Sequence, residues 1–183
     1  MAAQDNKREN CQKKFLGLIG DHPRDQKYDH LWTSEDGTQE VKIELKTRQK
    51  GNSCTTKRRV TPETLKDMED TVWIISEYDK KDPDKIDGNT IILFPEDLEQ
   101  WRLTTLNRLD KGTPNQLGFN ELNEEYWTGS VETWQKIRKT VHKNDPHIGT
   151  NILKQGTIVK SAEHLSIMLE DYCKKSINGG PHG

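Results

Sequence analysis

The sequence predicts an α/β (α+β) fold in which a central mixed β-sheet is flanked by helices. Two short apolar runs, TVWIISEY at 71–78 and NTIILF at 89–94, are typical of buried strands. Upstream of them, an Asp-Gly pair separates two segments in which apolar and polar residues alternate, which indicates an antiparallel hairpin. Segments with helical spacing stand on both sides of these strands, so we expect helices to cover the sheet.

The elements of the first half follow from local signals. The first helix carries Cys11, Phe15, Leu18 and Ile19 at helical spacing. The second is expected to begin at Thr61 as N-cap, with a proline at its first position. In chain order, the predicted elements are a helix at 7–20, a loop at 21–26, the hairpin at 27–48, a basic polar loop at 47–59, a helix at 60–70 and a strand at 71–78.

The second half contains two further helices with clear N-terminal signals. Pro95 is followed by two acidic residues, and Ser161 is expected to cap the last helix, with Glu163 near its first turn. The predicted elements are a turn-rich connection at 80–89, a strand at 90–94, a helix at 95–109, an irregular segment at 110–130, an amphipathic segment at 131–143, a loop at 144–149, a strand at 156–160 and a helix at 161–175.

The bulk composition describes one folded domain over residues 1–183, with flexible ends at 1–6 and 177–183. The formal net charge of −2 neither requires nor excludes a polyanionic partner, because the local clustering of charge decides. The three cysteines form no CxxC pair, so neither a disulfide framework nor a zinc site is indicated. We expect a cytoplasmic protein, because no apolar run is long enough to span a membrane and the N-terminus lacks the apolar core of a signal peptide.

The register of the hairpin follows from its turn. If Asp36 and Gly37 form a two-residue type I′ loop, the numbers of facing residues add up to 73. The face that holds most of the apolar side chains is then the buried one. It comprises Tyr28, His30 and Trp32 on one strand and Val41, Ile43 and Leu45 on the other.

The opposite face brings charged residues together. In this register Asp29 faces Glu44, and Lys46 points the same way two residues later. Two carboxylates on facing residues of an antiparallel pair are close enough to repel each other unless a cation lies between them. Mg²⁺ prefers oxygen ligands such as these carboxylates and the Leu45 carbonyl. A lysine beside them suits the stabilisation of negative charge or the deprotonation of a bound water. The alternative is a solvated strand whose charges only confer solubility, with Lys46 in a weak surface ion pair with Glu44.

These residues resemble a known nuclease motif. Asp29, followed after fourteen residues by Glu44-Leu45-Lys46, is similar to the D…(D/E)-x-K pattern of the PD-(D/E)XK nucleases, with Tyr28 in place of the proline. The order of elements resembles the small type II restriction endonucleases of the blunt-cutting, homodimeric subgroup. The segment HKNDPHIGTNILKQGTIVK at 142–160 is similar to the one that those enzymes hold beside the DNA. The resemblance covers residues from about 25 to about 160 and implies a restriction-endonuclease-like fold.

The resemblance implies a role for each motif residue. Asp29 and Glu44 would hold Mg²⁺, and Lys46 would act on the attacking water or on the scissile phosphate. Glu9, on the first helix, stands where related nucleases sometimes place a further acid, although a solvated helix face is the favoured explanation.

Two segments are candidates for DNA contact. Arginine suits bidentate bonding to guanine, asparagine suits adenine, and aspartate can accept from cytosine. The first segment, beside Arg48, contains Thr55, Thr56, Lys57, Arg58 and Arg59; the second contains Asn144, Asp145 and His147. The alternatives are a basic solvated loop for the first segment and ordinary Asn-Asp-Pro turn chemistry for the second.

Together these features predict a Mg²⁺-dependent type II restriction endonuclease. It would act as a homodimer on a short palindromic site in double-stranded DNA, beside a cognate DNA methyltransferase that is a functional and not a physical partner. The alternatives are a PD-(D/E)XK nuclease that cuts by DNA structure in repair or junction resolution, a non-catalytic DNA-binding module, and a generic α/β domain.

Overall fold

A five-stranded mixed sheet forms the centre of the computed structural model, which describes residues 2–19, 28–55, 62–110 and 147–178. Its strand order is β1 (His30–Thr33), β2 (Glu40–Gln49), β4 (Thr71–Tyr78), β5 (Thr90–Leu93) and β7 (Thr157–Ile158). A separate two-stranded sheet consists of β3 (Cys54–Thr55) and β6 (His147–Ile148). The predicted α/β class with a mixed sheet is confirmed, because β2 and β4 run parallel while the other pairs run antiparallel.

Helices pack on both faces of the central sheet. They are α1 (Ala2–Leu16), α2 (Pro62–Asp67) with a 3-10 turn at Met68–Asp70, α3 (Pro95–Asp110), α4 (Thr150–Leu153) and α5 (Ala162–Asn178). Among these described helices, none is long and apolar enough to cross a lipid bilayer.

Each face of the sheet has its own apolar core. On one face, Val41, Ile43 and Leu45 of β2 pack with residues of α1 and α5. On the other face, Trp73 and Ile75 of β4 pack with residues of α2, α3 and α4. Because side chains alternate along a strand, the even-numbered residues of β2 point toward this second core.

The hairpin keeps the predicted register but not the predicted turn. His30 pairs with Ile43 and Trp32 with Val41, so the numbers of facing residues add up to 73 and the predicted register is confirmed. The ladder extends to the Ser34 amide, which donates to the carbonyl of Gln39, and the loop comprises residues 35–38. The type I′ prediction is wrong, because no described residue other than glycine has a positive φ. Loops of two and of four residues have the same parity, so the register is the same for both.

A carboxylate organises this loop. Oδ1 of Asp36 accepts hydrogen bonds from the Thr38 hydroxyl at 2.7 Å, the Thr38 amide at 2.9 Å and the Ser34 hydroxyl at 2.7 Å. The Thr38 hydroxyl contributes most, and together these bonds lower the pKa of Asp36 to about 2. Gly37, with φ of +72°, supplies the left-handed residue that the loop needs.

Helix α1 differs from its prediction in length and in buried face. It ends at Leu16 instead of residue 20, because Gly17 is left-handed (φ +66°) and the amides of Gly17 and Leu18 close the helix on Lys14 and Lys13. The predicted apolar face is confirmed for Leu18, which is buried, but wrong for Phe15 and Ile19, which are exposed. Among the side chains of α1 that the structure describes, Gln12 and Leu16 are buried completely or nearly so.

Strand β2 extends further than predicted. The basic loop expected from residue 47 begins later, because β4 runs beside β2 as far as the pair Gln49↔Tyr78. The expected loop also contains β3. The strand at 71–78, the helix from Pro95 and the cap at Ser161, whose hydroxyl accepts from the His164 amide at 3.1 Å, are confirmed. The predicted elements between 111 and 146 lie outside the described residues, and the flexible ends stay predictions.

Candidate active site

Asp29 lies where the β1–β2 ladder stops. Its main-chain amide donates to the Ile43 carbonyl at 2.9 Å, one residue out of step with the register of the hairpin. Its carboxylate Oδ2 accepts a hydrogen bond from the Leu45 amide at 2.8 Å. The predicted cross-strand pair of Asp29 with Glu44 is therefore wrong, because the ladder ends at His30. The Asp29 carboxylate instead lies at the main chain of the residue that follows Glu44.

Glu44 and Lys46 form an ion pair on the second core's side of β2. Lys46 Nζ lies 3.1 Å from Glu44 Oε1, and the two side chains are 25% and 8% exposed. The parallel register sets Glu44 beside Trp73 and Lys46 beside Ile75, and Nζ lies 5.9 Å from the centre of the Trp73 ring. Trp73 and Ile75 thus shield the Glu44–Lys46 ion pair from part of the water that would surround it on an exposed strand.

The acids around Lys46 stabilise its charged form. Burial alone would lower the pKa of Lys46, but the Glu44 carboxylate, through charge and hydrogen bond, and the charge of Asp29 outweigh it and raise the pKa. The lysine is therefore an ammonium at neutral pH. Asp29, Glu44 and Lys46 thus interact electrostatically near the end of the β1–β2 ladder.

A cavity of about 340 Å³ opens at Asp29 and Lys46, where α1 meets the far end of β2 and the end of β4. Most of its lining is polar or charged. The lining residues are Arg8, Glu9 and Gln12 of α1, Asp29, Leu45, Lys46 and Thr47 around β2, and Tyr78 of β4. The cavity therefore gives a ligand access to Asp29 and Lys46 together.

Helix α1 contributes residues that the sequence analysis did not assign to a site. The Arg8 guanidinium stacks 4.3 Å over the Tyr78 ring and donates to the Pro83 carbonyl at 2.8 Å. Gln12 is fully buried and bonds to the main chain of the sheet. Glu9 lines the cavity as suggested, and its carboxylate pairs with Lys13 at 3.0 Å. One signal in the sequence indicates the face of α1 that meets the sheet. It is a spacing of four residues, which relates Arg8, Gln12 and Leu16.

Oxygen donors at this site fit a hard divalent cation by their chemistry; Asp29 and Leu45 line the cavity, and Glu44 is next to Leu45 in the chain. The carboxylates of Asp29 and Glu44 and the carbonyl of Leu45 are oxygen ligands of the kind that Mg²⁺ prefers. No cluster of three or more His, Cys, Asp or Glu side chains suited to a metal ion occurs within the described ranges. A cation here would therefore depend on two carboxylates, main-chain oxygen and water, which is how Mg²⁺ is commonly held.

The small sheet joins the two segments predicted to contact DNA. Strands β3 and β6 pair antiparallel, with Cys54 opposite Ile148 and Thr55 opposite His147. One member of each predicted segment thus lies directly across from a member of the other. Thr56, Lys57, Arg58, Arg59, Asn144 and Asp145 lie outside the described residues, so their roles stay predictions.

Arg48, the remaining candidate for DNA contact, has protein partners. Its Nη2 lies 3.2 Å from the Glu77 carboxylate, and its Nη1 donates to the Asn52 carbonyl at 2.6 Å. The side chains of Arg48 and Glu77 are only 15% and 13% exposed. The pair therefore connects β2 to β4 beyond Lys46.

Cys54 stands close to the same charges but is not a nucleophile. It is fully buried, and burial raises the pKa of its thiol to about 11. A thiol with that pKa is almost entirely protonated at neutral pH, so it does not offer the thiolate that cysteine catalysis requires.

Comparison of the chain with protein-family models finds no match, and a search of the curated proteins finds none either.

Proposed function

We propose that this protein is a type II restriction endonuclease of the PD-(D/E)XK superfamily, with a restriction-endonuclease-like fold. It hydrolyses phosphodiester bonds of double-stranded DNA at a short palindromic site and depends on Mg²⁺. The observation that carries the proposal is the group formed by Asp29 on the Leu45 amide and by the Glu44–Lys46 ion pair. Two acids, a main-chain carbonyl and an ammonium suit phosphodiester hydrolysis, and Asp29, Leu45 and Lys46 line one open cavity.

The acids and the lysine have different roles. Asp29, Glu44 and the Leu45 carbonyl would hold Mg²⁺, and a bound Mg²⁺ supplies a water of lowered pKa and neutralises phosphate charge. The Lys46 ammonium donates a hydrogen bond to the phosphate oxygen on which negative charge develops. Glu44 keeps Lys46 protonated and oriented for that contact, since it lies 3.1 Å away. Asp29 is fixed for its task by the Leu45 amide.

The reaction is the attack of water on phosphorus. A bond forms between the water oxygen and phosphorus, the water releases a proton to solvent, the bond from phosphorus to the 3′ oxygen breaks, and the leaving oxygen takes up a proton from solvent. The products are a 5′-phosphate and a 3′-hydroxyl. Lys46, already protonated, stabilises the charge of the transition state without changing its own protonation state.

The proposed partners follow from this reaction. One chain with one such site cuts one strand, so a two-fold homodimer on a palindromic site would cut both. The β3–β6 sheet supports a recognition role for its surroundings, because it unites the two segments rich in suitable side chains. We expect the enzyme to act in the cytoplasm, with a methyltransferase that protects the host DNA as its functional partner.

Digestion of an unmethylated phage genome with the full-length protein and Mg²⁺ tests the proposal. Discrete fragments whose ends share one sequence are expected. A smear, or cutting only at branched or damaged DNA, would favour a structure-specific nuclease of the same superfamily. Binding without cleavage at any Mg²⁺ concentration would favour a non-catalytic DNA-binding module, and the enzyme proposal would then be wrong.

A further inference from the structure

Gln12 reaches from α1 to two neighbouring strands of the sheet. Its Nε2 donates to the Lys46 carbonyl at 3.1 Å and to the Ile74 carbonyl at 3.2 Å. Lys46 and Ile74 stand on β2 and β4, whose parallel register pairs Leu45 with Ile74 and Lys46 with Ile75. A single side-chain amide therefore fixes the helix to both strands directly at the Lys46 peptide.

The contacts of Nε2 fix the orientation of this amide. If the group were rotated by half a turn, its oxygen would meet two carbonyl oxygens and repel both. Oε1 is therefore the atom left over, and it is buried with no donor from the described residues. A buried acceptor without a donor costs free energy, so Oε1 does not stabilise the fold.

Gln12 stands at the wall of the candidate active site. It borders the cavity together with Asp29 and Lys46, but its side chain is fully buried, so Oε1 lies behind the cavity surface. Leu16, one turn along the same helix face, fills its position with an apolar side chain and leaves no polar atom unpaired. Filling space alone would thus require no amide at position 12.

We propose that Gln12 is a positioning residue of the candidate active site: from α1, its Nε2 holds the Lys46 peptide in place. The inference rests on the proposed nuclease function. Gln12 carries out no chemistry, and it acts by fixing the main chain from which the Lys46 side chain extends toward Glu44. A displacement of about 1 Å at a reacting group lowers rates by about 10²-fold, so the effect is measurable.

The test compares steady-state cleavage of a duplex oligonucleotide, carrying the site found by genome digestion, by full-length variants. Gln12→Met keeps the length of the side chain and removes both hydrogen-bonding atoms. Gln12→Asn keeps the amide but is too short to reach both carbonyls. We expect each variant to lower kcat by about 10²-fold and to change KM by less than about twofold. Asn serves as the second variant if Met does not fold, which circular dichroism decides.

Thr105→Val is the matched control. The buried Thr105 hydroxyl donates to the Trp101 carbonyl at 2.8 Å within α3, so this change also removes a buried hydrogen bond, but in an element that does not line the cavity. It should lower the melting temperature without lowering kcat.

The outcomes separate the two proposals. If the Gln12 variants melt earlier, as the control does, but keep kcat within about twofold of the wild type, Gln12 is only a core residue and the inference is wrong. If the variants raise KM and leave kcat unchanged, the inference is also wrong, since the defect then lies in binding. Absence of cleavage by the wild-type protein overturns the proposed function and the inference together.

Discussion

The carboxylate of Asp29 accepts a hydrogen bond from the main-chain amide of Leu45 at 2.8 Å. In a continued hairpin ladder that amide would donate to the Tyr28 carbonyl on the opposite strand. The side chain thus replaces the main chain at the point where β1 ends. This substitution places an acid at the middle residue of Glu44-Leu45-Lys46, and it explains how Asp29 acts on Lys46 without being paired with Glu44.

Removal of the Lys46 ammonium should abolish most of the activity. Lys46→Met keeps the packing of the aliphatic chain but removes the donor to the phosphate, and we expect kcat to fall by about 10²- to 10³-fold. Lys42→Met is the matched control, because Lys42 is on the same strand and pairs with Asp70 at 2.9 Å, but both side chains are largely exposed. Its kcat should remain near that of the wild type. Equal losses in the two variants would contradict a specific role for Lys46.

Asp29→Asn should distinguish the hydrogen bond of Asp29 to the Leu45 amide from the proposed role of its charge in holding Mg²⁺. The amide oxygen of asparagine can still accept from the Leu45 amide, so we expect the free energy of unfolding to change by less than about 0.5 kcal/mol. The charge that would hold Mg²⁺ is lost, and kcat/KM should fall by about 10²-fold or more. Asp29→Ala loses the hydrogen bond as well and should be both inactive and less stable. Wild-type cleavage by the asparagine variant would exclude Asp29 as a metal ligand.

Arg48→Met should destabilise the protein whether or not Arg48 contacts DNA. The change leaves the Glu77 carboxylate, which is 13% exposed, without its ion-pair partner, at a cost of about 3 kcal/mol in urea unfolding. A second change, Glu77→Gln, should recover part of that loss. A phosphate contact by Arg48 would in addition reduce the salt dependence of DNA binding by about one ion. An unchanged salt dependence would identify Arg48 as purely structural.

The stability of the hairpin should depend on pH through Asp36. Its pKa is about 2 in the folded chain, against a reference value of 3.8, so folding favours the charged form. The resulting stabilisation is complete above about pH 4 and is lost as the pH falls toward about 2. The difference in unfolding free energy between wild type and Asp36→Asn should therefore be constant near neutral pH and shrink in this acid range. Glu35→Gln, at the neighbouring loop position, is the control. A difference that persists below pH 2 would contradict this origin.

Local sequence patterns were sufficient for the hairpin register and for the group of charges. Alternation fixes which residues of β1 and β2 are buried, and that choice alone sets Glu44 and Lys46 on the opposite side of β2. The turn type was predicted incorrectly because the parity of the loop determines the register, and side chains within the loop, chiefly Asp36, determine its geometry.

Non-local contacts account for what the sequence did not predict. The extension of β2 to Gln49 depends on pairing with β4, a strand that follows it by a whole helix. The burial of Gln12 depends on carbonyls of two distant strands, and a glutamine on a polar helix gives no local sign of this. The pairing of Thr55 with His147 likewise depends on segments far apart in the chain. Propensity and periodicity describe neighbours in sequence and contain no information on such partners.

The two-stranded sheet β3–β6 has a consequence for how sequence preference can change. Cys54 and Ile148 are both fully buried and pair with each other. The two segments predicted to contact DNA are therefore connected through this pair, because Thr55 follows Cys54 and His147 precedes Ile148. We therefore expect a substitution that moves Thr55 to move His147 as well. If these segments read DNA, a change of target is therefore a concerted event, and homologous chains should exchange the two segments as a unit and not separately.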